Sequence, residues 1–259
     1  MDLGLQGKRA FVSASSTGLG KACALSLARE GAEVWLNGRD EERLARAADE
    51  VEAAVGRRPH TVVGDIDAAE GRAAALAACP APDILVCNSG GPKPGRMDQW
   101  DEAVWNEAVT AKMVSPILLI QSVVGGMRAR GSGRIIVITS AMVKTPQLAM
   151  ALSTGPRAGL TAFCKALARE VAADGVTVNC LLPEKIDTDR LERMTRSLAR
   201  LRQIDEIVAR AEMASTVPAG RFGRPEEVGD ACAFLCSSRA GYITGQNLQL
   251  DGGAYAGLV

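Results

Sequence analysis

Ser13-Ala14-Ser15-Ser16-Thr17-Gly18-Leu19-Gly20 is the stretch on which the fold of this chain turns. It closes the apolar run 8–13 (KRAFVS) and leads without a linker into a helical pattern over 18–30. That succession predicts a strand, a tight turn and a helix. Gly18 and Gly20 have no Cβ, so the backbone here can come close to a bulky anion such as a diphosphate. The helix start adds N–H groups without intrahelical partners and the positive end of the helix dipole. Two glycines serve simple strand-to-helix packing equally well, so the decision rests on what surrounds them.

Outward from that turn, short apolar runs alternate with longer stretches of helical period. Strands are predicted near 8–13, 33–37 (EVWLN), 60–64 (HTVVG), 83–87 (DILVC), 134–139 (RIIVIT), 176–181 (VTVNCL) and 247–250 (NLQL). Helices are predicted near 18–30, 40–55, 68–78, 99–130 with a break, 153–173, 189–213 and 225–237. This rhythm belongs to a Rossmann-type α/β fold, a doubly wound parallel seven-stranded sheet with helices on both faces. At 259 residues, with no repeat, linker or low-complexity segment, the chain reads as one domain over 1–259. The charged stretch 190–212 breaks the strand rhythm; within a segment 187–218 it is either a lid over a ligand crevice or an ordinary solvated helix.

After the second strand, Asn37-Gly38-Arg39 holds no carboxylate where an acidic residue would bind the ribose diol of NAD. Arg39 offers a partner for a 2′-phosphate, which favours NADP(H) over NAD(H); otherwise it is a surface charge beside Asp40 and Glu41. Lysine plus arginine equals aspartate plus glutamate at 30 each, which argues against nucleic acid or an anionic membrane as partner and for a small-molecule substrate. Seven scattered cysteines, with no C-x-x-C pair, read as buried thiols in a reducing compartment and not as a metal site. No apolar run approaches the length of a membrane span and no leader pattern opens the chain, so a cytoplasmic, unanchored protein is expected.

With these motifs in order, the chain resembles the short-chain dehydrogenase/reductase family from end to end. Ser13 to Gly20 are similar to its T-G-x-x-x-G-[IL]-G turn, Cys87-Asn88-Ser89-Gly90 to N-N-A-G, and Asp65-Ile66 to its adenine-contacting acidic pair. Arg221-Phe222-Gly223-Arg224-Pro225-Glu226-Glu227-Val228, Tyr242-Ile243-Thr244-Gly245-Gln246 and Asp251-Gly252-Gly253 resemble its last helix, strand and tail. The resemblance implies cofactor contacts from Ser13, Ser15, Ser16, Thr17, Gly18 and Leu19, then from Arg39, Asp65 and Ile66, and from Asn88, Ser89 and Gly90. Further contacts are implied for Arg157, Pro183, Ile186 and Thr188. It also implies a homodimer or homotetramer built on the helices near 112–130 and 153–173.

The family's catalytic set is an asparagine, a serine, and a tyrosine followed four positions later by lysine. Aligning Trp105 with the family's tryptophan puts Lys112 at the asparagine position. Ser140 matches the serine, while Ser153 and Arg157 stand at the tyrosine and lysine positions. The tyrosines of the chain are Tyr242 and Tyr255, far from that place in sequence. A serine hydroxyl is a far weaker acid than phenol, and guanidinium stays protonated, so Ser153 and Arg157 read as a binding pair. Lys112 either supplies the missing proton, its pKa lowered by burial, or snorkels to solvent. Glu184 replaces the glycine after Pro183 and is a general acid, a partner of Lys185 or Arg157, or an outward-pointing carboxylate. Ala14 replaces the turn's first glycine, a mild change if its φ is negative. Lys144, Arg157 and Lys112 together suggest a cationic cavity for an anionic substrate, or else three unrelated surface charges. His60, the one histidine, reads as structural or exposed. The leading function is an atypical NADP(H)-dependent oxidoreductase acting on a carbonyl or imine; the alternatives are a non-redox isomerase, cyclase or lyase, and an NADP(H) sensor.

Overall fold

A computed structural model describes residues 1–91 and 95–258. Seven parallel strands form one sheet in the order β3-β2-β1-β4-β5-β6-β7. They are β1 (Arg9–Val12), β2 (Glu33–Gly38), β3 (His60–Val63), β4 (Ile84–Cys87), β5 (Gly133–Ile138), β6 (Val176–Pro183) and β7 (Asn247–Leu250). The central strands β4 and β5 are largely apolar and buried because both of their faces are covered, whereas β3 and β7 at the edges are partly exposed.

The helices are α1 (Gly18–Arg29), α2 (Glu41–Val55), α3 (Ala69–Ala78), α4 (Glu102–Val109), α5 (Ser115–Ala129), α6 (Ala151–Val171), α7 (Asp189–Arg202), α8 (Glu206–Ser215) and α9 (Pro225–Cys236). One apolar core joins α1, α2 and α9 to one face of the sheet through Leu27, Leu44 and Val228. The other joins α5 and α6 to the opposite face through Leu119, Met127 and Leu160. Gly229 makes the close α1–α9 contact possible, since a Cβ there would meet Ala22 O at 2.5 Å. The continuous helix Glu102–Ala129 is long and apolar enough to cross a membrane by composition, and Leu119, Ile120, Val123 and Met127 bury its inner face in the second core.

Two boundaries differ from the sequence reading. The expected helix over 189–213 is a helical hairpin, because Gln203 takes a left-handed φ of +54° and Asp205 caps a new helix through Ile207 N at 2.7 Å. The expected break in 99–130 is a π-turn, Thr110–Val114, with Lys112 at its centre.

The chain builds outward from β1 to β3, then returns to lay β4 against β1. That reversal opens a crevice at the carboxyl ends of β1 and β4, the place where ligands bind in such sheets. Ser13 and Asn88 follow directly on these two strands.

Candidate active site

The turn after β1 is held by its own hydroxyls. Ser13 Oγ donates to Asn88 O at 2.8 Å and accepts from Asn88 N at 2.9 Å, while Asn88 Nδ2 donates to Ala14 O at 2.9 Å. Ser15 Oγ donates to Val12 O at 2.7 Å and accepts from Asn37 N at 2.9 Å. Ser13, Ser15 and Asn88 therefore fix the shape of the turn. Asn37, which carried no assigned role in the sequence reading, does the same from β2: its Nδ2 donates to Val62 O and Gly64 O at 3.1 Å each. A polar residue closing an apolar strand was the available signal.

Ala14 sits at a φ of +46°, so the negative φ on which a mild change depended is not found. A left-handed alanine is strained by about 1 kcal/mol relative to glycine. Gly18, at φ +58°, has Thr188 Cγ2 at 3.9 Å from its would-be Cβ and no closer neighbour among the described residues. Gly20 has no such room, since a Cβ would lie 2.5 Å from Ala14 O and 2.8 Å from Asn88 Nδ2. Thr17 precedes α1 without capping it through its side chain, which leaves the first-turn amides open to an anion. Ser16 lines the same opening, Cβ-to-Oγ against Gly38, and half-buried Leu19 anchors the helix start to the core. The site thus has the open amides and the close backbone approach that a dinucleotide diphosphate requires.

Arg39 is exposed and its Nη1 lies 3.5 Å from Asp65 Oδ2. Ile66 is buried behind Asp65, whose Oδ1 accepts from Asp67 N at 3.0 Å. On the other flank, Pro183 ends β6 against Leu250, Ile186 bridges to Gly223, and Thr188 begins α7 opposite Gly18.

Lys112 does not snorkel. It is 5% exposed, and its Nζ donates to Ser89 Oγ at 3.2 Å and to the carbonyl of Gly90. The π-turn that carries it packs on α6, where Arg157, 9% exposed, donates from Nη1 to Ser153 Oγ at 3.2 Å. Burial, helped by the charge of Arg157, lowers the Lys112 pKa to about 8; Asp67 opposes this, and Arg190 and Arg39 add to it. Burial likewise lowers Arg157 to about 10, so it remains a cation at neutral pH. Ser140 opens a short turn packed on α6 and accepts from Met142 N at 3.2 Å, which leaves its hydroxyl hydrogen to donate elsewhere.

Arg190 is the residue that sequence reasoning passed over. It lies on the first turn of α7 with Nη1 against Gly91, so that a Cβ on that glycine would be 1.4 Å away. Its signal in the sequence was weak: of its neighbours three and four positions away, Ile186 and Met194 are apolar, Arg193 is a like charge, and Asp187 is held by Arg210.

Lys144 is corrected the other way. Its Nζ lies 4.8 Å from the Tyr255 ring centroid and 3.3 Å from Gln249 Oε1, in the polar group beside β7 and not with Lys112 and Arg157. Glu184 belongs to that same side, 4.0 Å from Lys185; burial raises its pKa, with Lys185 opposing and Asp251 assisting. Tyr242 is fully exposed. His60 is stacked on Trp35 and bonded to Glu33 at 2.8 Å, a structural role as expected.

The family model described as enoyl-(acyl carrier protein) reductase matches residues 13–255. The chain belongs to the short-chain dehydrogenase/reductase family. Among curated short-chain relatives, the 3-oxoacyl-[acyl-carrier-protein] reductase of Escherichia coli is 35% identical over 254 residues, covering 98% of this chain and 99% of the relative. The corresponding reductase of Vibrio harveyi is 34% identical, with the same coverage. Among solved short-chain structures, L-sorbose reductase of Gluconobacter frateurii, complexed with NADPH and L-sorbose, superposes with a TM-score of 0.94 at 32% identity and covers 100% of both chains. YwfH, an NADPH-dependent reductase of bacilysin biosynthesis, superposes at 0.90 with 29% identity, covering 98% of this chain and 100% of its own.

Proposed function

We propose that this chain is an NADPH-dependent reductase of a small carbonyl compound, working with a rebuilt catalytic set. Support for the cofactor comes from the glycine-shaped turn, the open amides of α1 and the likeness to NADPH-bound short-chain structures. Ser16, Thr17, Gly18 and Leu19 hold the diphosphate, Arg39 turns from Asp65 to the 2′-phosphate, and Ile66, Ser89, Gly90, Ile186 and Thr188 line the remaining length. Bound there, NADPH supplies a hydride. Ser140 Oγ donates a hydrogen bond to the substrate oxygen, and Ser153 with Arg157 positions the reactants.

The observation that carries the catalytic reading is the buried ammonium of Lys112 beside Ser89 and Gly90. As the carbonyl carbon accepts the hydride, its π electrons move to oxygen, and Lys112 Nζ passes a proton to that oxygen. The product is an alcohol; the neutral amine then regains its proton from water. A general acid works best with a pKa near the working pH, and a lysine at about 8 meets that condition where an unperturbed one does not.

The seven cysteines are free and buried, consistent with a cytoplasmic, reducing setting. A homodimer or homotetramer through the α5 and α6 faces, and a lid role for 187–218, belong to the same reading; light scattering tests the first. The decisive assay follows nicotinamide absorbance with a carbonyl panel. NADPH should be consumed at least about tenfold more efficiently than NADH, and Arg39→Ala should erase that preference. Substrate conversion without nicotinamide oxidation, or no binding heat from either cofactor, overturns the proposal.

A further inference from the structure

Many of the exposed cations on this molecule meet carboxylates. On the α7–α8 hairpin Arg202 meets Glu212 at 2.7 Å and Arg196 meets Glu206 at 3.7 Å. In the groove beside Ser16 and Thr17, Lys21 pairs with Glu50 and Arg43 with Asp40. Lys112 and Arg157 are buried and Arg190 is half-buried, yet among the described residues none of the three meets a carboxylate. Among the described residues their polar partners are neutral: Ser89 and Gly90 for Lys112 and Ser153 for Arg157, while Arg190 lies against Gly91. The field of Asp67 reaches Lys112 but forms no ion pair with it, and Arg39 adds a further positive charge from the cofactor side.

Burying like charges together without a counter-ion is expensive, and such groups persist where a ligand brings the opposite charge. The diphosphate already has the α1 amides and the 2′-phosphate has Arg39, so the uncompensated charge lies beyond the cofactor's own anions. We infer that the substrate is an oxo-carboxylic acid whose carboxylate is gripped by Arg157 and Arg190 while its carbonyl oxygen faces Lys112. Guanidinium forks suit a carboxylate because each offers two parallel N–H donors. Lys112 Nζ on the Gly90 carbonyl and Arg190 against the adjacent Gly91, with the π-turn packed on α6, point to a short acid, with carboxylate and carbonyl on neighbouring or nearly neighbouring carbons. This inference rests on the reductase reading for the role of Lys112. Arg190 is its specificity-determining residue.

The test is calorimetry with pyruvate, 3-oxobutanoate and 4-oxopentanoate, each beside its methyl ester, on the protein with saturating NADP⁺ and on the protein alone. NADP⁺ donates no hydride, so binding is read without turnover. At least one acid should bind about tenfold or more tighter than its ester, the usual scale for a buried charge-assisted pair. Arg190→Met should remove that preference and Arg190→Lys should restore part of it, with NADP⁺ affinity unchanged. Acids and esters binding alike, or a preference that survives Arg190→Met, overturns the inference. So does an Arg190→Met variant that weakens NADP⁺ instead, since the cluster would then serve the cofactor's phosphates. Absence of NADP⁺ binding would defeat the cofactor reading, while the titrations on the protein alone would still decide the carboxylate question.

Discussion

Around the turn between β1 and α1, the buried side chains of Ser13, Ser15 and Asn37 and the half-buried one of Asn88 all find protein partners within hydrogen-bond distance. Around the π-turn and α6 the opposite holds: two buried cations have neutral partners, and Ser115 Oγ and Thr154 Oγ1 are buried with no partner among the described residues. The first region is a finished scaffold whose shape is set before any ligand arrives. The second leaves buried charge without a counter-ion and two buried hydroxyls without a partner among the described residues.

The sharpest way to break this comparison is at Gly20. A valine there would drive Cβ into Ala14 O, Asn88 Nδ2 and the Ser15 backbone at once. Gly20→Val should cost about 3 kcal/mol or more and abolish NADPH binding, as read by thermal unfolding and calorimetry. A variant that binds normally would mean the turn is not the rigid scaffold described.

Lys112 sharpens the contrast from the other side. Lys112→Met should lower turnover about 100-fold or more with NADPH affinity little changed, and wild-type turnover should fall as pH rises through about 8. Turnover unaffected by the substitution would remove lysine as the proton source. A companion Tyr255→Phe should leave turnover within about twofold of wild type, because Tyr255 lies with Lys144 on the other side of the site.

The same lysine predicts a stability signature. Its folded pKa, about 8, lies below the unfolded 10.5, so the cost of burying the charge is fully present below pH 8 and is relieved as pH rises toward 10.5. Relative to Lys112→Met, the wild-type chain should therefore gain about 3 kcal/mol of stability across that interval, groups common to both cancelling. Denaturant titrations at pH 7 and pH 10 check it; equal differences at the two pH values would contradict the burial.

The smallest effect lies at Ala14. With φ at +46°, glycine is the better residue, and Ala14→Gly should stabilise by about 1 kcal/mol, raising Tm by about 3 °C. A lowered Tm would show that the loss of alanine's restraint on the unfolded chain outweighs the relieved strain.

The sequence by itself determined the doubly wound sheet, because strand and helix periods alternate clearly enough to be read one element at a time, and the seven predicted strands match β1–β7 to within a few residues. The expectation that Ser153 and Arg157 stand at the family's tyrosine and lysine positions also came from residue identity alone. Only the tertiary structure decided which cations meet. Lys112, Arg157 and Arg190 come from a π-turn, a core helix and the first turn of α7, separated by 45 and 33 residues, and no local period encodes their approach. Lys144, four residues after Ser140, was carried away to Tyr255 for the same reason. Local pattern fixes elements because hydrogen bonding and apolar periodicity act over a few residues; the site is assembled by packing between elements, which no single stretch contains.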